Sequence, residues 1–391
     1  MTGPMVSGDT SGTGGKGSVL LVSHSYGYGG DLMYYGEIFA ALRALEPGLA
    51  VAVDRSVAFE NPRGLDLRPL YRRRSIEMPS RSGYARAVHA ASPTLAARVA
   101  AAAPEVLVAI EFTPISLLAL FGSLSSRGTK RVLLVESDPS GRGGSASPAV
   151  LALKRRAVRL VDRIRTNNEG GARYLVDTLG ADSAKIDVGP YLTSRPPGPA
   201  AEPALREGPL RLLFANSLTP RKNPQALIQA LALLPSELRD RVQLTCVGDG
   251  PERGVLEVAV RENGLAGCVT FAGHSRYGEL GRYYSEADAL VNPTQLDYRS
   301  LSSFEGLGYG LALLVSDKDG AANETVIKGE TGYTFSPDDP QELANRIAGL
   351  ASDPEGTLAL RRNALALYDA RFSVERAAAN IAATIAQARG A

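Results

Sequence analysis

The sequence predicts an α/β protein of two doubly wound domains, each a parallel sheet covered by helices. Three observations carry this expectation. Short β-branched-rich apolar runs alternate with helical patterns along both halves of the 391 residues. A Pro/Gly/Ala-rich stretch, "SRPPGPAAEPALREGP" (194–209), interrupts that alternation once. The length suffices for two separate cores. Strands alternating with helices of this size imply parallel sheets covered on both faces.

The first 17 residues, "MTGPMVSGDTSGTGGKG", read as a disordered lead, because such a composition buries too little to offset its chain entropy. "SVLLVSHS" (18–25) reads as a buried strand and "DLMYYGEIFAALRAL" (31–45) as the helix after it. "LAVAVD" (49–54), "EVLVAIE" (105–111), "RVLLVES" (131–137), "DRIRTNN" (162–168) and "KIDVGP" (185–190) continue the strand series. After the linker it restarts with "LRLLFANS" (210–217), "VQLTCVG" (242–248), "CVTFAG" (268–273), "ADALVNP" (287–293), "ALLVSD" (312–317) and "GYTFSP" (332–337). The last 50 or so residues are rich in good helix formers. The expected division is a first domain at 18–197, a second at 198–372 and a terminal helix at 373–391.

Hydrophobic residues at 44% and charged residues at 21% are ordinary soluble-globular values. No apolar run approaches the ~18 residues of a transmembrane helix, and the N-terminus lacks the apolar core of a secretion signal. Cys246 and Cys268 are too few for a disulfide framework and read as reduced thiols. His24, His89 and His274 show no metal-ligand spacing. Residues 1–200 hold 24 Lys+Arg against 17 Asp+Glu, leaving 19 against 24 for the rest. The basic excess includes "RPLYRRR" (68–74) and "KRRAVRLVDRIR" (154–165). No nucleic-acid motif accompanies these arginines, so an anionic membrane surface or a phosphorylated acceptor fits them better than nucleic acid. A merely solvated arginine-rich face is the plainer alternative. These features together suggest a cytoplasmic protein, peripheral at the inner face of the plasma membrane.

Three stretches lie where a strand hands over to a helix, the end at which doubly wound sheets bind ligands. In "HSYGYGGDLMYY", Gly27, Gly29 and Gly30 do not supply the dinucleotide spacing, but they allow close backbone approach to a ligand. In "ANSLTPRKNPQAL", Arg221 and Lys222 precede a helix that Pro224 suits as its first residue. Adjacent cations there suit a diphosphate. In "DYRSLSSFE", Asp297 and Glu305 stand eight residues apart. Held on one helix they would lie roughly 12 Å apart, too far to share a metal and suited to the two ends of an elongated ligand. A capping box, Ser302-x-x-Glu305, is the plainer reading of the second acid.

Taken together with "VGDGPERGVLE", "VTFAGH" and "VSDKDGAANETVIKGETGYTFSPDDPQELA", these stretches resemble the signature run of the retaining GT-B glycosyltransferases of family 4. The resemblance is dense from 210 to 345 and looser before 200. It implies two Rossmann-like domains facing a cleft, acceptor on the first and nucleotide-sugar on the second, with the C-terminal helix packing back on the first. It implies a retaining, metal-independent transfer, with a UDP-sugar as donor, a glycan or lipid-linked acceptor, and no cofactor or metal. The family's two acids fall on Asp297, meeting the donor sugar, and Glu305, meeting the ribose. Its diphosphate pair falls on Arg221 and Lys222. Gly250, His274, Ser300 and Leu301 fall among its donor contacts, and Gly29, Gly30 and Asp31 on its acceptor and phosphate loop. The family's first-domain histidine is not evident; Glu136 and Asp138 stand in that region instead. Gly306 and Gly308 replace alanines, so the helix carrying Glu305 is expected to be looser or more closely approached. "DKD" (317–319) matches a short metal motif of another glycosyltransferase fold, but it falls where this family has Asp-x-Gly-Gly, so no metal is expected. A nucleotide-sugar epimerase and a non-catalytic scaffold share the architecture and remain alternatives.

Overall fold

The computed structural model describes residues 17–23, 32–59, 61, 63–78, 86–136, 147–199 and 202–391, with only the backbone described at 75–78 and 86–91. Gly29, Gly30, Asp31, Asp138 and His24 lie outside the described residues. The chain divides into two compact units. One holds residues up to Leu192 together with Val374–Ala391; the other holds Thr193–Ser373.

Among the described residues, the first unit has a seven-stranded parallel sheet. Its strands are β1 (Val19–Val22), β2 (Leu49–Asp54), β3 (Asp66–Tyr71), β6 (Val106–Ile110), β7 (Lys130–Val135), β8 (Arg163–Thr166) and β9 (Ile186–Val188), in spatial order β3-β2-β1-β6-β7-β8-β9. A separate antiparallel pair joins β4 (Arg73–Met78) to β5 (Arg86–Ala91). Helices α1 (Met33–Leu45), α2 (Thr94–Ala102), α3 (Pro114–Gly122), α4 (Pro148–Leu160), α5 (Glu169–Arg173) and the last helix, Val374–Gly390, belong to this unit. β1 and β6 are apolar and buried throughout, as strands covered on both faces must be. The last helix contacts α1, β7 and β8. Arg165, 5% exposed, donates to Thr384 on it, and Arg389 donates to both carboxylate oxygens of Glu46 at 2.9 Å.

The basic runs are less free than their composition suggests. Residues 68–71 of the first run belong to the edge strand β3, where Tyr71 is buried and Arg68 pairs with Asp66. In the second, Arg163 pairs with Asp187 and Arg165 is buried, while Arg155, Arg156 and Arg159 lie exposed on α4.

The second unit has, among the described residues, a six-stranded parallel sheet in the order β12-β11-β10-β13-β14-β15. These are β10 (Leu210–Ala215), β11 (Val242–Val247), β12 (Val269–Gly273), β13 (Ala289–Asn292), β14 (Ala312–Ser316) and β15 (Gly332–Phe335). Its helices are α6 (Pro224–Ala232), α7 (Ser236–Arg239), α8 (Arg253–Glu262), α9 (Tyr277–Glu286), α10 (Leu301–Gly308), α11 (Ala322–Thr325), α12 (Pro340–Ser352) and α13 (Pro354–Leu367), which makes the last helix of the first unit α14. Leu212, Phe214, Leu244, Val291, Leu314 and Ile347 are among the side chains of one core. Leu213, Leu290, Phe304, Leu313 and Tyr368 fill the other face.

The described residues of the stretch 194–209 have no regular structure, yet they lie on the second unit. Pro196 accepts from the Tyr309 hydroxyl, Ala204 accepts from Arg361 at 3.0 Å, and Gly198 sits so close to Gly281 that a Cβ would come within 2.7 Å of its Cα. Free thiols stand at buried Cys246, which burial pushes up to about 12, and at half-buried Cys268. Among the described residues, no helix is long and apolar enough to cross a membrane.

Candidate functional site

Sheet order determines where a ligand can sit. In the second unit the order reverses between β10 and β13, and the crevice beyond the carboxyl ends of such a strand pair is where doubly wound sheets take ligands. The loop leaving β10 ends in a tight turn, in which Lys222 and Asn223 both donate their N–H to the Thr219 carbonyl at 3.0 Å. Asn223 takes the left-handed conformation (φ 53°), and Pro224 opens α6 at its first position as expected. That turn presents Arg221 and Lys222 at the strand end. The loop leaving β13 clasps it: Thr294 Oγ1 and the Gln295 N–H both donate to the Arg221 carbonyl, at 2.9 and 2.8 Å.

Asp297 lies on this second loop, ahead of α10, and Glu305 lies on the helix itself, so the two acids do not share one helix. One oxygen of Asp297 accepts from Arg221 Nη1 at 2.8 Å and from Lys222 Nζ at 2.5 Å. Its other oxygen accepts from the Tyr298 N–H at 2.9 Å. Burial opposes ionisation of Asp297, but Lys222 and Arg221 outweigh it and hold the carboxyl below the ordinary aspartate range. Lys222, only 8% exposed, is a buried cation matched by a carboxylate, as burial requires.

Glu305 departs from the capping-box reading. Ser300, not Ser302, is the N-cap of α10, so no capping box forms. The Glu305 carboxylate instead accepts from the hydroxyls of Ser194 and Tyr284, and Tyr277 hydrogen-bonds Ser194 at 3.0 Å. Burial raises its pKa, with the two hydroxyls acting against the rise.

Ser300 caps nothing with its side chain; its hydroxyl and its N–H both donate to Asp319, which is 1% exposed and also accepts from the Ala321 N–H. Burial and then the Asp297 charge raise the Asp319 carboxyl. Asp317, the other acid of "DKD", is exposed, so the two do not converge. Asn292, Ser302 and Ser303 extend this polar cluster beneath the first turn of α10, with Asn216 donating to Asn292 at 2.9 Å. Arg299 fixes the loop from the other side. Fully buried, it donates to both oxygens of Glu324 at 2.9 and 3.0 Å and stacks 3.8 Å from the Phe304 ring. A Cβ on Gly306 would come within 3.0 Å of Leu290 and Leu313, and one on Gly308 within 3.1 Å of Tyr368, so the helix is closely approached.

The remaining residues implied by the resemblance are more dispersed. Gly250 has a packing reason of its own, since a Cβ there would come within 2.3 Å of the Leu218 carbonyl oxygen. His274 follows β12 and is exposed; Leu301 is half-buried at the start of α10. In the first unit, Glu136 follows β7 and donates its N–H to Glu111. Glu111, at the exit of β6, is a residue the sequence reading passed over. It holds φ at 61°, a region a non-glycine residue occupies at a cost, and accepts from the Tyr191 hydroxyl at 3.3 Å. Asn167 ties this edge together, donating to the Glu136 carbonyl and accepting from the N–H groups of Tyr191 and Leu192. Only a residue-level view of backbone angle could have singled out Glu111.

Two Rossmann-like α/β units of this build define the GT-B fold class. HepE of Anabaena, solved in complex with UDP, matches with a TM-score of 0.68 at 20% identity over 94% of this chain and 99% of that one. A sucrose-phosphate synthase of Thermosynechococcus elongatus matches at 0.65, also at 20% identity, over 95% and 98%. Residues 200–366 match the family model described as glycosyl transferases group 1. A D-inositol 3-phosphate glycosyltransferase of Thermobispora bispora is 27% identical over 63% of this chain, and a 2-deoxystreptamine glucosyltransferase of Streptomyces kanamyceticus is 29% identical over 59%. The chain spans 61% and 62% of the length of those two relatives. A GDP-mannose-dependent phosphatidylinositol monomannoside mannosyltransferase of Mycolicibacterium smegmatis is 28% identical over 73% of this chain and 79% of its own length.

Proposed function

We propose that this protein is a glycosyltransferase that moves a sugar from a nucleoside-diphosphate sugar to an acceptor hydroxyl, with retention and with side-chain cations in place of a metal. The observation that carries the reading is the convergence of Arg221, Lys222 and Asp297 at the strand-order reversal of the second unit, inside the segment that matches the model of glycosyl transferases group 1. A guanidinium fork beside a point-charge ammonium suits a diphosphate, and fixed cations there lower the cost of charge building on the departing phosphate. That phosphate oxygen would take the acceptor's proton in a front-side transfer. Asp297 would meet the sugar hydroxyls, as a carboxylate accepting from vicinal O–H groups does.

UDP is the proposed nucleotide, supported by the UDP named for the HepE structure; the mannosyltransferase relative keeps GDP in view. The proposed acceptor is a glycan or a lipid-linked glycan, and the names of the relatives add cyclic polyols to the acceptors worth trying. Transfer assays with UDP- and GDP-hexoses against such acceptors, with product anomers read by NMR, test the reading. Donor consumption with an α-linked product from an α-linked donor supports it. Interconversion of the donor without acceptor would favour an epimerase, and no nucleotide binding at all would favour a scaffold. A peripheral site at the inner membrane face is proposed on the exposed Arg155, Arg156 and Arg159 of α4. Flotation with anionic liposomes at low salt should recover the protein; failure to float would remove this part.

A further inference from the structure

We infer that Asp297 sets the site's ranking of ligands, favouring a nucleotide that carries its sugar over the bare nucleoside diphosphate, because its carboxylate competes with phosphate for Arg221 and Lys222. The inference rests on the donor reading above and concerns the same site.

A single oxygen of Asp297 engages both cations, at 2.8 and 2.5 Å. The side chains of the trio are 10–15% exposed, so these are shielded, charge-assisted bonds and not surface pairs that salt would screen away. A diphosphate would draw on the same two cations, whose charge Asp297 already partly neutralises. Phosphate and carboxylate are therefore rivals for one pair of cations, and a diphosphate gains only the difference between its own bonds and those it displaces.

What the displaced carboxylate meets next determines the size of that difference. Residues 297 and 319 are paired by a backbone bridge, with the Gly320 N–H donating to the Asp297 carbonyl at 3.0 Å. Asp319 is 1% exposed, and the Asp297 charge already disfavours its ionisation. An Asp297 stripped of its two cations thus keeps an acidic neighbour on a shielded loop, which is costly. Arg299 cannot move across to relieve it, being fully buried and held on both oxygens of Glu324. Sugar hydroxyls can: they donate to a carboxylate and return part of what the exchange cost. A ligand without a sugar leaves that cost standing. The chemistry favours loading of the intact donor and weakens retention of the diphosphate left after transfer.

Calorimetric titration of the full chain with UDP and GDP, then with UDP-glucose and GDP-mannose, tests this. Asp297→Asn keeps the shape and removes the charge; Asp297→Ala removes both and guards against an Asn-specific clash. Thermal melting confirms that each variant is folded. Both variants should bind the diphosphate that wild type binds about tenfold more tightly, while the advantage of the sugar-bearing ligand shrinks. Diphosphate affinity unchanged or weakened in both variants overturns the inference and leaves the donor reading standing. Wild type that binds none of the four nucleotides overturns both.

Discussion

The two sheets share one design and differ in what they place at the point where strand order reverses. In the second unit that point carries cations and an acid whose contacts are made between two adjacent loops, following β10 and β13. In the first unit the reversal falls between β1 and β6, and the acid there, Glu111, is held by groups from three distant places in the chain: the Glu136 N–H, the Tyr191 hydroxyl, and Asn167 behind both. One edge is assembled from charge pairs, the other from backbone conformation and a hub amide. The lesson is that sites of similar topology can be made rigid by different physics, electrostatic in one case and conformational in the other.

The largest expected effect breaks the electrostatic side of that comparison. Arg299→Ala removes a fully buried cation that donates to both oxygens of the shielded Glu324 carboxylate, so urea unfolding should show a loss of about 3–5 kcal/mol. A loss under 1 kcal/mol would mean the loop is held by other contacts. Lys222→Ala should cost about 10²–10³ in kcat for sugar transfer, a few kcal/mol of transition-state stabilisation, with the melting temperature little changed. Near-normal turnover would contradict the role of the cation pair.

Smaller effects sharpen the conformational side. At Glu111, glycine should be more stable than alanine by about 1 kcal/mol, the reverse of the usual order, because φ is positive there. Equal stabilities would show that no strain is held at this exit. The smallest effect is a slope. Burial raises the Glu305 pKa, so between the unfolded and folded values the native state binds more protons, and stability falls as pH rises through that window. Glu305→Gln should flatten this part of the stability–pH curve; an unchanged slope would assign it to another group.

Apart from β3, the strands of both sheets were readable as short runs bounded by turn residues, and the pairing of Pro224 with a helix start followed from its fixed φ. The edge strand β3 and the β4–β5 pair escaped, since arginines dominate 68–74 and mask a two-residue alternation. Within the site, Arg221, Lys222 and Asp297 were readable from position at strand ends. Their mutual pairing was not, because it depends on how two loops 75 residues apart in sequence meet. Asp319 was set aside as half of a metal motif, and only burial shows that it engages Ser300. Glu305 was misplaced in the local pattern because Ser300 begins the helix two residues earlier than the Ser302 box requires.

The proline-rich crossing at 194–209 looks from composition like a freely swinging tether, but its Pro196 and Ala204 carbonyls are pinned by Tyr309 and Arg361 and its Gly198 is wedged against Gly281. For anyone dissecting the protein, the natural-looking place to cut, just ahead of β10, is the wrong one. A fragment begun there would lose Ser194 from Glu305 and take one acceptor each from Tyr309 and Arg361. A fragment begun at Thr193 retains them.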